Sequence, residues 1–269
     1  MTVPVICPVC GELLTIEEHS ARCESGHTFD IAASGYLNLM LSKDMHSAVP
    51  GDSRDMVLAR RAFLDSGYYA PLKNALRDTI SSYSPKVVLD AGCGEGYYTS
   101  AFDAPCVIGV DVSKDAVKRA AKRDRRARYC VGSIFKLPIS DGSVDVVTSV
   151  FAPYCAEEFL RVTATDGMVC AVIPGKEHLW GLKSFLYDEP YPNDEEGYSL
   201  QGFSVLDTTC VDYDIEITGS DMIMQLLKMT PYFWRTPKAA IEKLEMLRSL
   251  KTRVSFRVII YKRDFKSAQ

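Results

Sequence analysis

From about residue 54 the chain alternates between helical and strand patterns of apolar and polar positions. Ala59–Leu64 and Ala70–Ile80 read as helices. Lys86–Asp90 is a short apolar run that predicts a buried strand. It leads into Gly92, Gly94 and Gly96, with a helix expected through Thr99–Phe102. Val107–Asp111 is the next strand, and Ser113–Lys122 a helix with Ser113 as its N-cap. Tyr129–Val131, Val144–Val150 and Gly167–Ile173 read as further strands, with a helix at Glu157–Val162 before the last. Such alternation predicts an α/β, doubly wound sheet whose ligand lies at the carboxyl ends of the strands.

Length and composition sharpen this picture. A chain of 269 residues with 47% apolar content holds one larger domain and a small module. The expected boundaries are a metal-binding domain at 1–40, connecting helices at 41–84 and a cofactor domain at 85–269. No apolar run approaches membrane-spanning length, and no basic segment followed by an apolar core marks a signal peptide. A cytoplasmic protein is expected. The net charge of −4 excludes a globally basic nucleic-acid binder, yet charge is uneven. Residues 114–128 hold eight basic and two acidic side chains, and Pro237–Gln269 nine basic and three acidic. One such helix alone reads as a solvated face. The second basic region shifts the expectation toward a surface for a polyanion. Between them, acidic, proline-containing Tyr187–Glu196 reads as a linker or mobile loop.

The N-terminus carries metal-ligand spacing. Cys7-Pro-Val-Cys10-Gly11 is followed by Cys23-Glu-Ser-Gly26-His27. Paired ligands on two glycine-turned knuckles suit tetrahedral zinc, and three thiolates with one imidazole close the sphere. A structural Zn2+ on Cys7, Cys10, Cys23 and His27 is therefore expected, with a disulfide or unrelated buried cysteines as the competing reading. Nine cysteines is an odd number, and the six outside the knuckles, scattered in apolar or motif contexts, fit a reducing compartment. His19 and His46 read as surface residues.

The glycine loop alone is a moderate signal, and Asp111 strengthens it. An acidic residue ending the second strand, about twenty residues on, binds ribose hydroxyls in such folds. A nicotinamide loop would read G-x-G-x-x-G. Here Asp90-Ala-Gly92-Cys-Gly94-Glu-Gly96 resembles motif I of class I S-adenosylmethionine-dependent methyltransferases with a Rossmann-like sheet. Ser133 after the third strand, Asp145 opening the fourth and Gly167 before the fifth fit the same class.

The whole chain resembles the zinc-containing bacterial 23S rRNA (guanine-N1)-methyltransferase family. Besides the zinc knuckles, the matching residues are Phe29-Asp30-x-Ala32, Gly35-Tyr36-x-Asn38-Leu39, Pro50-Gly51-Asp52-Ser53 and Ala59-Arg60-Arg61-Ala62-Phe63-Leu64. They continue with Gly67-x-Tyr69-x-Pro71-Leu72, Gly94-Glu95-Gly96-Tyr97-Tyr98-Thr99, Ala152-Pro153, Pro174-Gly175, His178-Leu179 and Met229-Thr230-Pro231-x-x-Trp234-Arg235. The resemblance implies an N-terminal zinc domain on a seven-stranded methyltransferase domain. It also implies methylation of guanine N1 in a hairpin loop of 23S rRNA, and a homodimer. The chain departs from the pattern at Cys155, where relatives often carry a lysine at or near this position.

The expected cofactor residues are Asp90, Gly92, Gly94, Gly96, Asp111, Ser133, Ile134, Ala152 and Pro153. By resemblance Tyr69, Tyr98, Thr99 and His178 join them. N1 of guanine is protonated at neutral pH, so a carboxylate or neutral histidine could assist its departure. Asp52, Glu157, Glu158 and His178 qualify by residue type. Lys118, Arg119, Lys122, Arg123, Arg125 and Arg126 are expected to grip phosphates. Trp180 and Tyr232–Trp234 are either core or base-stacking residues. A small-molecule methyltransferase of the same fold, and a non-catalytic RNA-binding zinc protein, remain open alternatives.

Overall fold

The computed structural model describes residues 3–41, 51–195 and 198–264. His46, Pro50, Glu196 and the end of the basic tail lie outside the described residues. Strands β1 (Thr15–Ile16), β2 (Ser20–Arg22) and β3 (Thr28–Asp30) form a small antiparallel sheet around the N-terminal knuckles. There follow β4 (Tyr36–Asn38), α1 (Arg54–Asp65), α2 (Ala70–Ser82), β5 (Val87–Ala91), β6 (Cys106–Asp111), α3 (Lys114–Arg123), β7 (Arg128–Val131) and β8 (Val144–Val150). The chain closes with α4 (Ala156–Val162), β9 (Thr163–Pro174), α5 (Trp180–Leu186), β10 (Phe203–Thr218), α6 (Ser220–Lys228), α7 (Lys238–Glu245) and β11 (Ser249–Arg263).

The main sheet has eight strands in the order β10-β11-β9-β8-β5-β6-β7-β4. Strands β4 to β9 in that order are mutually parallel, and β10 and β11 are antiparallel additions. This corrects the seven-stranded expectation. The eighth strand is β4, whose Tyr36, Leu37 and Asn38 pair with Tyr129, Cys130 and Val131. Three residues are too few to carry a period, so β4 is hidden in the sequence. The helix expected through Thr99–Phe102 is only a 3-10 turn at Thr99–Ala101.

Every residue of β5 is buried, because helices cover both faces of a parallel sheet. Val88 packs with Leu72, Leu76 and Tyr129 on one face. Leu89 packs with Ile108, Cys130 and Phe159 on the other. Val5, Leu14, Ala21 and Leu37 belong to that second cluster, so the knuckle module shares the core of the cofactor domain. Ser53 caps α1 by accepting from Met56 N at 3.3 Å. Ser113 caps α3 as expected, accepting from Ala116 N at 3.4 Å.

The acidic segment after α5 is held rather than trailing. Lys183 is fully buried. Its Nζ donates to Tyr191 O at 2.9 Å and Asn193 Oδ1 at 2.6 Å, and lies 4.8 Å from the Tyr191 ring centre. Asn193 Nδ2 donates to Gly175 O at 2.8 Å, which fixes the segment to the carboxyl end of β9.

Candidate functional site

The metal cluster assembles as expected. The ligand atoms of Cys7, Cys10, Cys23 and His27 all lie within 4.8 Å of one another. Cys10 Sγ is 3.6 Å from Cys23 Sγ, and Cys23 Sγ is 3.4 Å from His27 Nδ1. Zinc–sulfur and zinc–nitrogen bonds of about 2.3 and 2.0 Å give tetrahedral edges of about 3.8 and 3.5 Å, so the donor set fits zinc. A sulfur separation of 3.6 Å is far beyond a disulfide bond of about 2.0 Å. Val9 N–H donates to Cys7 Sγ at 3.4 Å. His19, with a side chain 87% exposed, stands clear of the cluster.

The glycine loop lies between β5 and the 3-10 turn. A Cβ at Gly92 would stand 2.5 Å from Ala152 Cβ, and one at Gly96 would stand 2.9 Å from Ala120 Cβ. Gly92 thus lets the loop pass the end of β8, and Gly96 lets α3 close on it. Gly94 faces open space. Its N–H donates to Asp111 Oδ2 at 2.9 Å, and Ser113 N–H donates to Asp111 Oδ1 at 2.8 Å. Burial raises the Asp111 carboxyl above its ordinary value, against these two amides. Each oxygen keeps a second lone pair, so Asp111 can accept a diol. Ser133 and Ile134 follow β7 beside it, with Ser133 Oγ accepting from Phe135 N at 3.1 Å. An open backbone cradle with an aligned acid fits S-adenosylmethionine.

Asp90 is internal. It is 2% exposed and accepts from Thr99 Oγ1 at 2.5 Å and Thr148 Oγ1 at 2.9 Å. Burial pushes its carboxyl up to about 6. Its visible work is to tie the loop to the 3-10 turn and β8. Glu95 is also buried. It accepts from Arg123 Nη2 at 2.6 Å, and Arg123 also holds Asp65 at 2.7 Å.

An aromatic wall stands at the carboxyl ends of β8 and β9. His178 is buried, and burial drives its imidazole down to about 3, helped by the charge of Lys183. Ser255 N–H donates to His178 Nδ1 at 3.3 Å, so the proton of the neutral ring sits on Nε2. Nε2 lies 3.3 Å from Tyr69 Oη, which therefore accepts and keeps its own proton for another partner. The Tyr98 hydroxyl is buried without a partner. Phe151 and Phe256 complete the wall, with ring centres 5.6 Å apart.

The proton-accepting candidates separate. Asp52 is paired with Arg60, and Gly51 lies against Val112 and Ser113, so this segment sits at the Asp111 edge. Glu158 accepts from Leu137 N at 2.5 Å and binds Arg161. His178 has both nitrogens engaged. Glu157 is exposed on the first turn of α4.

The charge expectations also need correcting. Arg123 is held by Glu95 and Asp65, and Arg126 by Asp124 at 2.9 Å. Neither is a free phosphate grip, whereas Lys118, Lys122 and Arg125 are not drawn into such pairs among the described residues. Part of the basic tail is neutralised in place: Lys251 faces Glu216, Arg253 faces Asp214 and Glu177, and Arg257 faces Asp212 and Glu195. Trp234 is 68% exposed, while Tyr232 stacks into the Lys183 cage. Trp180 lines a groove of about 380 Å³ with Glu177, Asp214, Lys251 and Arg253. Sequence reasoning missed Thr148, Ser255 and Phe256. Each comes from a strand remote in the chain from its partner, which no local spacing signals.

Known proteins resemble both halves. Residues 89–170 match the methyltransferase-domain family, and residues 5–47 match the zinc-ribbon family described as RlmA, N-terminal. A Micromonospora griseorubida protein provisionally named a 23S rRNA (guanine-N1)-methyltransferase is 33% identical, with 87% of this chain and 88% of that protein covered. The 23S rRNA (guanine(748)-N1)-methyltransferase of Streptomyces fradiae is 37% identical over 64% of each chain. The crystal structure of the YcgJ protein from Bacillus subtilis shares the fold, with a TM-score of 0.51 and 16% identity over 71% of this chain and 99% of that one. Among the described residues no helix is long and apolar enough to cross a membrane.

Proposed function

We propose, from the premise that the chain belongs to the 23S rRNA (guanine-N1)-methyltransferase family, that it transfers the methyl group of S-adenosylmethionine to N1 of a guanine in a hairpin loop of 23S rRNA. The observation that carries this reading is the union of a zinc-fitting cluster and a glycine–acid cradle on one continuous core. Bound S-adenosylmethionine supplies an already activated methyl group. The chain's residues orient and shelter it. Asp111 holds the ribose, Ser133 and Ile134 edge the adenine, and the unspent hydroxyl protons of Tyr69 and Tyr98 face acceptors at the other end. Gly92 and Ala152 border the reacting centre.

A target N1 lies on the Watson–Crick edge, so the guanine must be unpaired to present it, as loop bases are. Its proton must leave. His178 is neutral and fully engaged, so Glu157 at the rim is the candidate left free for that role. On this reading the enzyme is a cytoplasmic homodimer whose zinc module adds to the RNA-facing surface. Purified protein should label an unmodified 23S rRNA transcript from methyl-labelled S-adenosylmethionine. Primer extension should then stop at one hairpin-loop guanine, because N1-methylation blocks pairing. Labelling absent from rRNA, or stops lying elsewhere, would count against it.

A further inference from the structure

Phe151 sits where β8 ends, one residue before the Ala152 side chain that lies against Gly92. It is therefore next to the reacting end of the cofactor cradle. Its φ is +55°, in the left-handed region. Only two other described non-glycine residues share that conformation. Ser84 is a small turn residue, and Leu179 is buried at 1% exposure. Phe151 alone combines an inverted backbone with a large ring that is 44% exposed. A bulky residue with positive φ is strained and persists when the surroundings hold it for a purpose. Here Phe151 N–H donates to Val172 O at 3.1 Å, which pins the inverted peptide to β9.

The ring has one supported side and one open side. Its centre is 6.4 Å from His178 with planes 24° apart, 6.4 Å from Tyr98 and 5.6 Å from Phe256. These neighbours are themselves locked, His178 by Ser255 and Tyr69, and Phe256 within the core. An extended φ would be free of strain, so packing alone does not explain why the backbone turns to hold an apolar ring at the rim. A flat, rigid, half-exposed face beside a methyl donor suits a flat ligand that arrives from solvent.

We propose that Phe151 is the platform on which the target purine stacks, so that its Watson–Crick edge meets the methyl group. This rests on the rRNA-methyltransferase reading and adds the residue that receives the base. The aromatic face contributes by stacking, which tolerates either purine, so guanine selection has to come from edge contacts.

The test uses the full-length protein, an unmodified 23S rRNA transcript, and S-adenosylhomocysteine as the cofactor probe. F151A should raise KM for the transcript about ten- to hundredfold, the range for losing one aromatic–base stack. F151Y and F151W should retain activity within a few-fold of the unaltered protein. F151G fits the positive φ, so it should melt no lower than the unaltered protein while matching F151A in its RNA defect. Calorimetric affinity for S-adenosylhomocysteine should be the same in all variants. Normal KM in F151A and F151G would overturn the proposal. So would a parallel loss of S-adenosylhomocysteine affinity, which would make Phe151 a cofactor residue. If the unaltered protein binds S-adenosylhomocysteine but never methylates the transcript, the proposed function fails instead.

Discussion

Tyr69 and His178 meet in a buried pair, Oη to Nε2 at 3.3 Å, and the Ser255 amide on Nδ1 decides which atom donates. The tyrosine accepts from the imidazole and keeps its own proton. The histidine thereby acts as a fixed donor and not as a base. Tyr69→Phe should weaken S-adenosylmethionine binding by about 1 kcal/mol and leave Nε2–H without an acceptor, at a stability cost of about 1–3 kcal/mol. Calorimetry and urea unfolding measure the two effects. The pH–rate profile should show no limb from His178 above about pH 5.5, given its value of about 3. A limb near 6.5 that disappears in His178→Gln would refute this assignment.

Asp111 positions two backbone amides as well as any ligand. Asp111→Ala should therefore cost about 1.5–3 kcal/mol of cofactor binding, the range for hydrogen bonds to a charged group. NAD should not bind measurably. Tight NAD binding by calorimetry, with none for S-adenosylmethionine, would sink the cofactor assignment.

Asp90 and His178 pull stability in opposite directions with pH. The Asp90 carboxyl is raised to about 6 in the fold, so its contribution is full below about 3.8 and is lost as pH rises through about 6. His178 is depressed to about 3, so its contribution is full above about 6.5 and is lost as pH falls toward 3. Asp90→Asn should become progressively more stable than the unaltered protein between about pH 4 and 6. Thermal melts across that window test it, and a constant difference would contradict the buried carboxyl.

Charge reversal should split the basic segment. Lys118→Glu, Lys122→Glu and Arg125→Glu together should lower RNA affinity and flatten its salt slope while the melt stays put. Arg123→Glu should instead destabilise the fold by about 3 kcal/mol or more, because Glu95 is 1% exposed in its side chain and loses its one ion-pair partner among the described residues. Filter binding over a salt series, beside denaturant unfolding, separates the two outcomes.

Metal and sheet should unfold together. Freshly purified protein should hold about one zinc, and Cys23→Ser or a chelator should lower the melting temperature of the whole domain. The reason is that Val5, Leu14, Ala21 and Leu37 share a core with Ile108 and Cys130. A sequence view of 1–40 as a separate domain would instead expect a cofactor domain indifferent to zinc. Two independent transitions by calorimetry would favour that view.

Much of the central sheet was legible because its signals are local. β5 is a run of Val-Val-Leu followed by Asp90 and Ala91, Ser113 caps its helix two residues after Asp111, and the four zinc donors fall in two tight pairs. What stayed hidden is paired across distance. Residues 204–210 of β10 are exposed on both faces, so no alternation betrays a strand, and its register is carried by β11, with Arg257 opposite Cys210 and reaching diagonally to Asp212. The basic reading of 114–128 counted charges without their partners, and Glu95 and Asp65 claim Arg123 from two other elements. Phe151 is invisible as a site because a backbone inversion has no compositional mark.

The parallel pairing of Tyr36 with Tyr129 imposes an order of events during synthesis. Both zinc knuckles leave the ribosome before β7 exists. At about 5–20 residues per second, the roughly 100 residues that separate them take about 5–20 s to make. Through that interval the metal, and not the sheet, has to hold the emerging N-terminus together, with the edge of β4 open. Zinc supply is thus a condition on how the nascent chain reaches its fold, in addition to how stable the finished protein is.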